Sequence, residues 1–242
     1  SLIIANNVFA HIDDLKDVMR GIKKLLGDKG IFVFEVHWVG NLIGEGGFDQ
    51  IYHEHLCYFS LHALLRLMQE QKLEIFDVEL IPIHGQSMRV YVGKKMGVSG
   101  SVNRFLKTEK NLGLNSAETF LKFAEKTKNN KEKLLNFLLN LRGGGKTIAG
   151  YGAPAKGNTL LNYCGIDGKI LDFIVDTTPL KQGLYTPGSH IRIWHPDKLK
   201  EFQPDYLLLL AWNYADMIIA NEAEYRKKGG KFIIPVPEVK VV

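Results

Sequence analysis

Residues 51–60 read IYHEHLCYFS, which sets Tyr52, His53, Glu54 and His55 side by side just after Gly44, Gly46 and Gly47. A phenol, two imidazoles and a carboxylate add little to an apolar core, but together they suit proton transfer. An imidazole titrates near neutral pH, and an adjacent carboxylate can orient it and stabilise its charged form. If the stretch is extended, His53 and His55 share one face and Tyr52 and Glu54 the other. If it is irregular, Tyr52, Glu54 and His55 can converge on one pocket. The competing reading is a polar loop whose histidines satisfy backbone groups. A metal site has less support, because His-x-His can chelate but no further ligand cluster accompanies it.

Other residues of this kind sit near the ends of expected strands. His11 follows the apolar run LIIAN and Asn6-Asn7, at a carboxyl end where open α/β sheets place their ligands; a solvent-facing histidine at a helix entry is the alternative. HGQSMRVY (84–91) puts His84, Ser87 and Arg89 near a turn between two strands, where Arg89 can clamp phosphate or sugar hydroxyls, or simply face solvent on an edge strand. GYGAPAKGNTLLNYCG (150–165) is a glycine-rich turn between strand and helix. Its amides suit an anion and Lys156 adds a charge, whereas a turn needed only for packing is the rival reading. It is not a Walker motif, and Gly150, Gly152 and Gly157 do not fit GxGxxG. Asp176 closes the next strand, where a dinucleotide fold would hold its ribose. PLKQGLYTPGSH supplies Lys181, and Trp212-Asn213 follow DYLLLLA. Three such loops at one sheet edge favour a ligand cleft more than any one of them alone.

The elements that must position these groups are legible from periodicity. LIIAN (2–6) and IFVFEV (31–36) read as strands flanking a helix that Asp13 caps and Gly30 ends, a parallel strand–helix–strand unit. Ser60 caps a second helix, and LEIFDVELI and SMRVYVGK form an antiparallel pair. Residues 99–142 read as continuous helix stopped by Gly143-Gly144-Gly145, a domain boundary. Beyond it come the strand KTIAGY, a helix from Pro154, the strand ILDFIVD, the short strand HIRI, a helix after Pro196, and the strands DYLLLLAW and KFIIPV around a helix. That is a small α/β domain with a parallel sheet.

With 242 residues, 45% hydrophobic and 24% charged, the chain reads as a globular protein rather than a disordered or fibrous one. The +5 charge lies partly in KFAEKTKNNKEKLL, a solvated helix face, and lacks the dense basic clusters with exposed aromatics expected of nucleic-acid binding. No apolar run approaches a membrane span. The start, SLIIANNVFAH, lacks the basic region of a signal peptide, and Cys57 and Cys164 form no CxxC pair. A cytoplasmic, monomeric protein is the expectation.

Taken in order, NNVFAHIDD, YHEH, HGQSMRVY, GYGAPAKGNTLLNYCG, DTTPLKQGLYTPGSHI and LLLAWNY resemble the sugar-nucleotide C-methyltransferases over almost the whole chain. The resemblance implies an α/β protein: the end of a class I methyltransferase (Rossmann-like) sheet in residues 1–98, a helical connector in 99–142, and a C-terminal Rossmann-like sugar-nucleotide-binding domain in 143–242. It implies that the chain begins near the fourth strand of the methyltransferase sheet, without the zinc segment or the glycine-rich cofactor loop. Met217 departs from the pattern, which has an acidic residue there. The implied reaction is transfer of a methyl group from S-adenosylmethionine to a ring carbon of a 4-keto-deoxysugar on a nucleoside diphosphate, of the thymidine type. His55 would be the base, Glu54 its orienter, and Tyr52 and His11 hydrogen-bond partners of the sugar or the enolate oxygen. Asn6 and Asn7 would meet the cofactor, and His84, Ser87, Arg89, Lys156, Asn158, Lys181, Trp212 and Asn213 the substrate. Two other classes stay open: a non-catalytic nucleotide-sugar-binding module, and an NAD-dependent sugar oxidoreductase, which the missing GxGxxG disfavours.

Overall fold

The computed structural model describes residues 1–81 and 87–242. Two apolar runs form the parallel strands β1 (Leu2–Asn6) and β2 (Ile31–His37), in register from Leu2 opposite Ile31 to Asn6 opposite Glu35. Parallel neighbours need a crossover, and α1 (Leu15–Leu26) supplies it with Met19, Ile22 and Leu26 buried. Its cap is Asp14, which accepts a hydrogen bond from Asp17 N at 2.9 Å, one residue later than the expected Asp13. The helix also ends earlier than expected, because Gly27 at φ 67° leaves the helical path before Gly30. After α2 (Val39–Gly44), Ser60 caps α3 (Leu61–Glu70) through the Ala63 amide, as expected.

The antiparallel pair β3 (Glu74–Ile81) and β4 (Ser87–Gly93) completes a four-stranded sheet ordered β1-β2-β4-β3. Where continuous helix was expected there are two, α4 (Gly100–Asn111) and α5 (Ala117–Gly143). Gly113, at φ 66°, breaks the path between them, and the glycine run stops α5. These elements, up to Phe123 and without residues 45–52, form one compact unit around Phe9, Phe32, Phe34, Leu64, Met68 and Val90.

The second unit is Ala124–Val242 together with the segment Glu45–Tyr52. It holds β5 (Ile148–Tyr151), α6 (Ala155–Cys164), β6 (Ile174–Val175), β7 (Ile193–Trp194), α7 (Lys198–Phe202), β8 (Tyr206–Leu209), α8 (Ala215–Asn221), α9 (Ala223–Lys227), β9 (Lys231–Ile234) and β10 (Lys240–Val241). The sheet order is β10-β9-β8-β5-β6-β7, parallel except for the β10–β9 pair. The expected strand over ILDFIVD shrinks to two residues because the Asp172 carboxylate turns back to accept from Ile148 N and Arg142, both at 3.0 Å. From β5 the chain first builds outward through β6 and β7, then returns to add β8 on the other side. The crevice at the carboxyl ends of β5 and β8 is therefore the topological switch point, where open α/β sheets bind ligands. Among the described residues, no helix is long and apolar enough to cross a membrane.

Candidate active site

In the first unit the sheet delivers two imidazoles to neighbouring carboxyl ends. The chain leaves β1 through Asn6 and Asn7 into a short 3-10 turn, Phe9–His11, while His37 closes β2. Phe9 stacks on Phe34 with centroids 4.8 Å apart, which fixes that turn against β2 and with it His11. The loop carrying His55 is laced to the same frame: Leu56 N donates to Ala10 O at 2.7 Å, and Val39 N to Phe59 O at 2.9 Å. The result is a ring cluster, with His55 5.1 Å from His11 and 5.4 Å from His37, and Tyr58 edge-on at 6.3 Å. Glu54 and His53 lie exposed in a turn, so the stretch is irregular rather than extended.

A buried carboxylate stiffens this frame. Glu109 of α4 accepts from Trp38 Nε1 at 2.8 Å and from the first amides of α3, Leu61 N at 2.6 Å and His62 N at 3.0 Å. A carboxylate suits a helix start, where unpaired N–H groups and the dipole favour negative charge. Trp38 follows His37 directly, so α3 and the His37 end of β2 share one anchor.

Asn7 adopts φ 54°, and its Oδ1 is buried without a hydrogen-bond partner among the described residues. An unsatisfied acceptor at the carboxyl end of β1 suits a ligand that donates from N–H or O–H. Ser87 is buried opposite His37 on β4. Arg89 pairs with Glu35 at 2.7 Å and Glu79 at 3.0 Å, so its charge is already met by two carboxylates. His84 lies outside the described residues. Among those described, no group of three or more His, Cys, Asp or Glu side chains could hold a metal ion.

In the second unit the glycine-rich turn has packing reasons as well as a site. A Cβ at Gly150 would lie 2.7 Å from Ile174 Cγ1, and one at Gly157 2.9 Å from Leu210 Cβ, so both glycines allow close approach. Gly152, at φ 85°, makes the turn itself. Lys156 stands in the first turn of α6, and Trp212 opens the 3-10 turn after β8, with Asn213 exposed beside it. Lys156 Nζ lies 3.9 Å from the centre of the Trp212 ring. Burial lowers the Lys156 ammonium to a pKa of about 8, against the opposing pull of Asp49 and Glu45. Asn158 Nδ2 donates to Pro154 O at 3.2 Å, and its buried Oδ1 has no partner among the described residues. Asp176, at the end of β6, accepts from Ala153 N at 2.6 Å, Thr178 N at 2.8 Å and Lys181 Nζ at 3.3 Å. It thus braces the turn instead of presenting a free carboxylate to a ribose. Tyr52 is half-buried in this unit, its N–H donating to Gln50 O at 3.2 Å.

Comparison with known proteins bears on both units. Residues 82–237 match the C-methyltransferase C-terminal domain, and residues 1–78 match a methyltransferase domain. The chain belongs to the C-methyltransferase family. It is 40% identical over 244 residues to the C-methyltransferase NovU of Streptomyces niveus, covering 100% of this chain and 58% of that protein. The α/β fold expected of a class I, Rossmann-like methyltransferase is therefore present.

Within this family member three residues join the candidate set that sequence reasoning did not single out. His37 falls just beyond the expected strand IFVFEV (31–36), and Tyr58 lies three residues after His55. Asp49 follows the glycine run Gly44, Gly46 and Gly47. It is fully buried, and its partner Trp212 lies far along the chain.

Proposed function

We propose that this chain serves an S-adenosylmethionine-dependent C-methylation of a 4-keto-deoxysugar carried on a nucleoside diphosphate, of the thymidine type. The observation that carries the reading is the packing of His55 against both the His11 and His37 rings at the carboxyl ends of two parallel strands. Carbon methylation needs a carbanion equivalent, and a ketone makes the adjacent C–H acidic enough for an imidazole to remove its proton. In this reading His55 takes that proton, and the electron pair left behind becomes an enolate with its charge on the former ketone oxygen. His11 donates a hydrogen bond to that oxygen and stabilises the charge as it develops. The laced loop and the Phe9–Phe34 stack hold both rings in place, so little reorganisation accompanies the proton transfer.

S-adenosylmethionine, when bound, supplies an electrophilic methyl group. Asn7, with its unsatisfied buried oxygen, and Asn6 beside it are the residues of this chain that fit the cofactor. The second unit takes the nucleoside diphosphate at its switch point, where the first amides of α6 and the Lys156 ammonium favour an anion.

A ligand panel separates this reading from its rivals. Thermal shifts measured with S-adenosylhomocysteine, NAD(H) and a thymidine-diphosphate sugar should show stabilisation by the first and the third. Stabilisation by the sugar nucleotide alone would favour a non-catalytic binding module, and by NAD(H) alone an oxidoreductase. The engagement of Asp176 by Ala153, Thr178 and Lys181 argues against the last.

A further inference from the structure

Asp49 is 0% exposed, and a full charge placed there must be justified by its partners. It comes from the short segment Glu45–Tyr52, which packs on the second unit through Phe48 against Tyr163, with ring centroids 5.2 Å apart. Gly46, at φ 66°, takes the left-handed backbone that favours glycine and runs beside Pro237 in ordinary van der Waals contact. Asp49 Oδ2 accepts from Trp212 Nε1 at 2.6 Å and lies 3.8 Å from Lys156 Nζ. Its Oδ1 is buried and has no partner among the described residues.

The Trp212 N–H needs only an acceptor, and a neutral amide oxygen would serve without burying a charge. What an amide cannot do is favour a neighbouring ammonium. Lys156, with only 15% of its side chain exposed, is the group that needs such help. The 3.8 Å separation exceeds hydrogen-bond length, so Asp49 stabilises the charge without spending the ammonium's donors on itself. Carboxylate, indole and ammonium thus form a triangle at the carboxyl ends of β5 and β8.

We propose that Asp49 is a positioning residue for the diphosphate: it fixes the Trp212 indole and keeps the Lys156 ammonium charged and correctly placed to receive the anion. The inference rests on the reading that the second unit binds a nucleoside diphosphate. Among the described residues, the other charged or titratable groups coupled to this cluster are Glu45, which also favours the ammonium, and Cys164 and Lys131 on α6 and α5. Burial pushes the Cys164 thiol up to about 12, so it is neutral in the relevant range, and Lys131 is a second cation beside the ring of Tyr163. Burial raises Asp49, against the pull of Lys156 and the Trp212 N–H. With Lys156 at about 8, anion binding should weaken as pH rises through that value. Without the Asp49 charge the lysine loses its proton at lower pH, and the alkaline limb moves down.

The test is calorimetric titration of the chain with thymidine diphosphate across neutral to alkaline pH, with Asp49→Asn and Lys156→Arg alongside. The parent should bind with an alkaline limb near pH 8. Asp49→Asn keeps an acceptor for Trp212, so it should bind roughly tenfold or more weakly at neutral pH, with its limb shifted to lower pH. A variant that only loosened the fold would weaken binding without moving the limb. Lys156→Arg, whose guanidinium does not titrate in this range, should bind with no such limb; it carries the test if Asp49→Asn does not fold. Parent binding that Asp49→Asn leaves unchanged in strength and limb would overturn the assignment of Asp49 alone, as would a limb that survives in Lys156→Arg. No binding by the folded parent would overturn the diphosphate reading and this assignment with it.

Discussion

The two cysteines show how far burial alone decides the chemistry of a side chain. Cys164 is 1% exposed and its thiol is raised to about 12 by burial, whereas Cys57 is half-buried, its thiol raised by burial and then by Asp13. Alkylation followed by mass spectrometry should therefore modify Cys57 first and leave Cys164 untouched until the protein unfolds; equal rates would contradict that placement. The same logic explains which site residues could be read from sequence. His55 stood out because four polar side chains in a row are conspicuous, and Lys156 because a glycine-rich turn precedes it. His37 and Asp49 did not, since each depends on a partner distant in sequence, such as Trp212 for Asp49. Arg89 looked like an available cation, and only the sheet register reveals Glu35 and Glu79 beside it.

Among the elements, α3 and the segment that follows β2 share a single distant acceptor, Glu109. Glu109→Ala would leave the buried Trp38 N–H and the Leu61 and His62 amides without their acceptor. The expected loss of stability is on the order of 2–4 kcal/mol, read from chemical denaturation; a loss within error would mean that other groups replace the carboxylate. Glu109→Gln should cost less, because the amide oxygen still serves two of the three donors. Elements of this kind were legible where periodicity ran long enough: β1, β2, β3, β4 and α1 follow their apolar patterns closely. The two-residue strands β6, β7 and β10 carry no period of their own and are defined by pairing. The break between α4 and α5 was missed because one glycine amid good helix formers is a weak local signal, and the φ of Gly113 is set by its surroundings.

For the molecule as a whole, three aspartates with ties to the backbone or to neighbouring elements contribute to the acid limb of stability. Hydrogen bonds from Ser101 and Ser99 hold Asp77 below the usual carboxylate range, and Thr147 and Lys146 do the same for Asp205. Burial works against Asp176, but the Ala153 amide and Thr178 outweigh it and its carboxyl is also lowered. A group with a depressed folded pKa contributes stability that is fully present above its unfolded value and is lost as pH falls through the folded one. Melting temperature should thus hold as pH falls toward the ordinary aspartate value and drop below it, and Asp205→Asn should flatten that drop. A melting temperature that rose on acidification would contradict the account. His55 acts as the base in the proposed reaction, and exchange of the substrate proton tests this without methyl transfer. In deuterated solvent with a thymidine-diphosphate 4-keto-deoxysugar, the protein should exchange the hydrogen on the carbon beside the ketone. His55→Asn, folded to the same melting temperature, should slow that exchange by roughly 10²–10⁴-fold, the usual worth of a general base. Exchange at the parent rate in His55→Asn would contradict it.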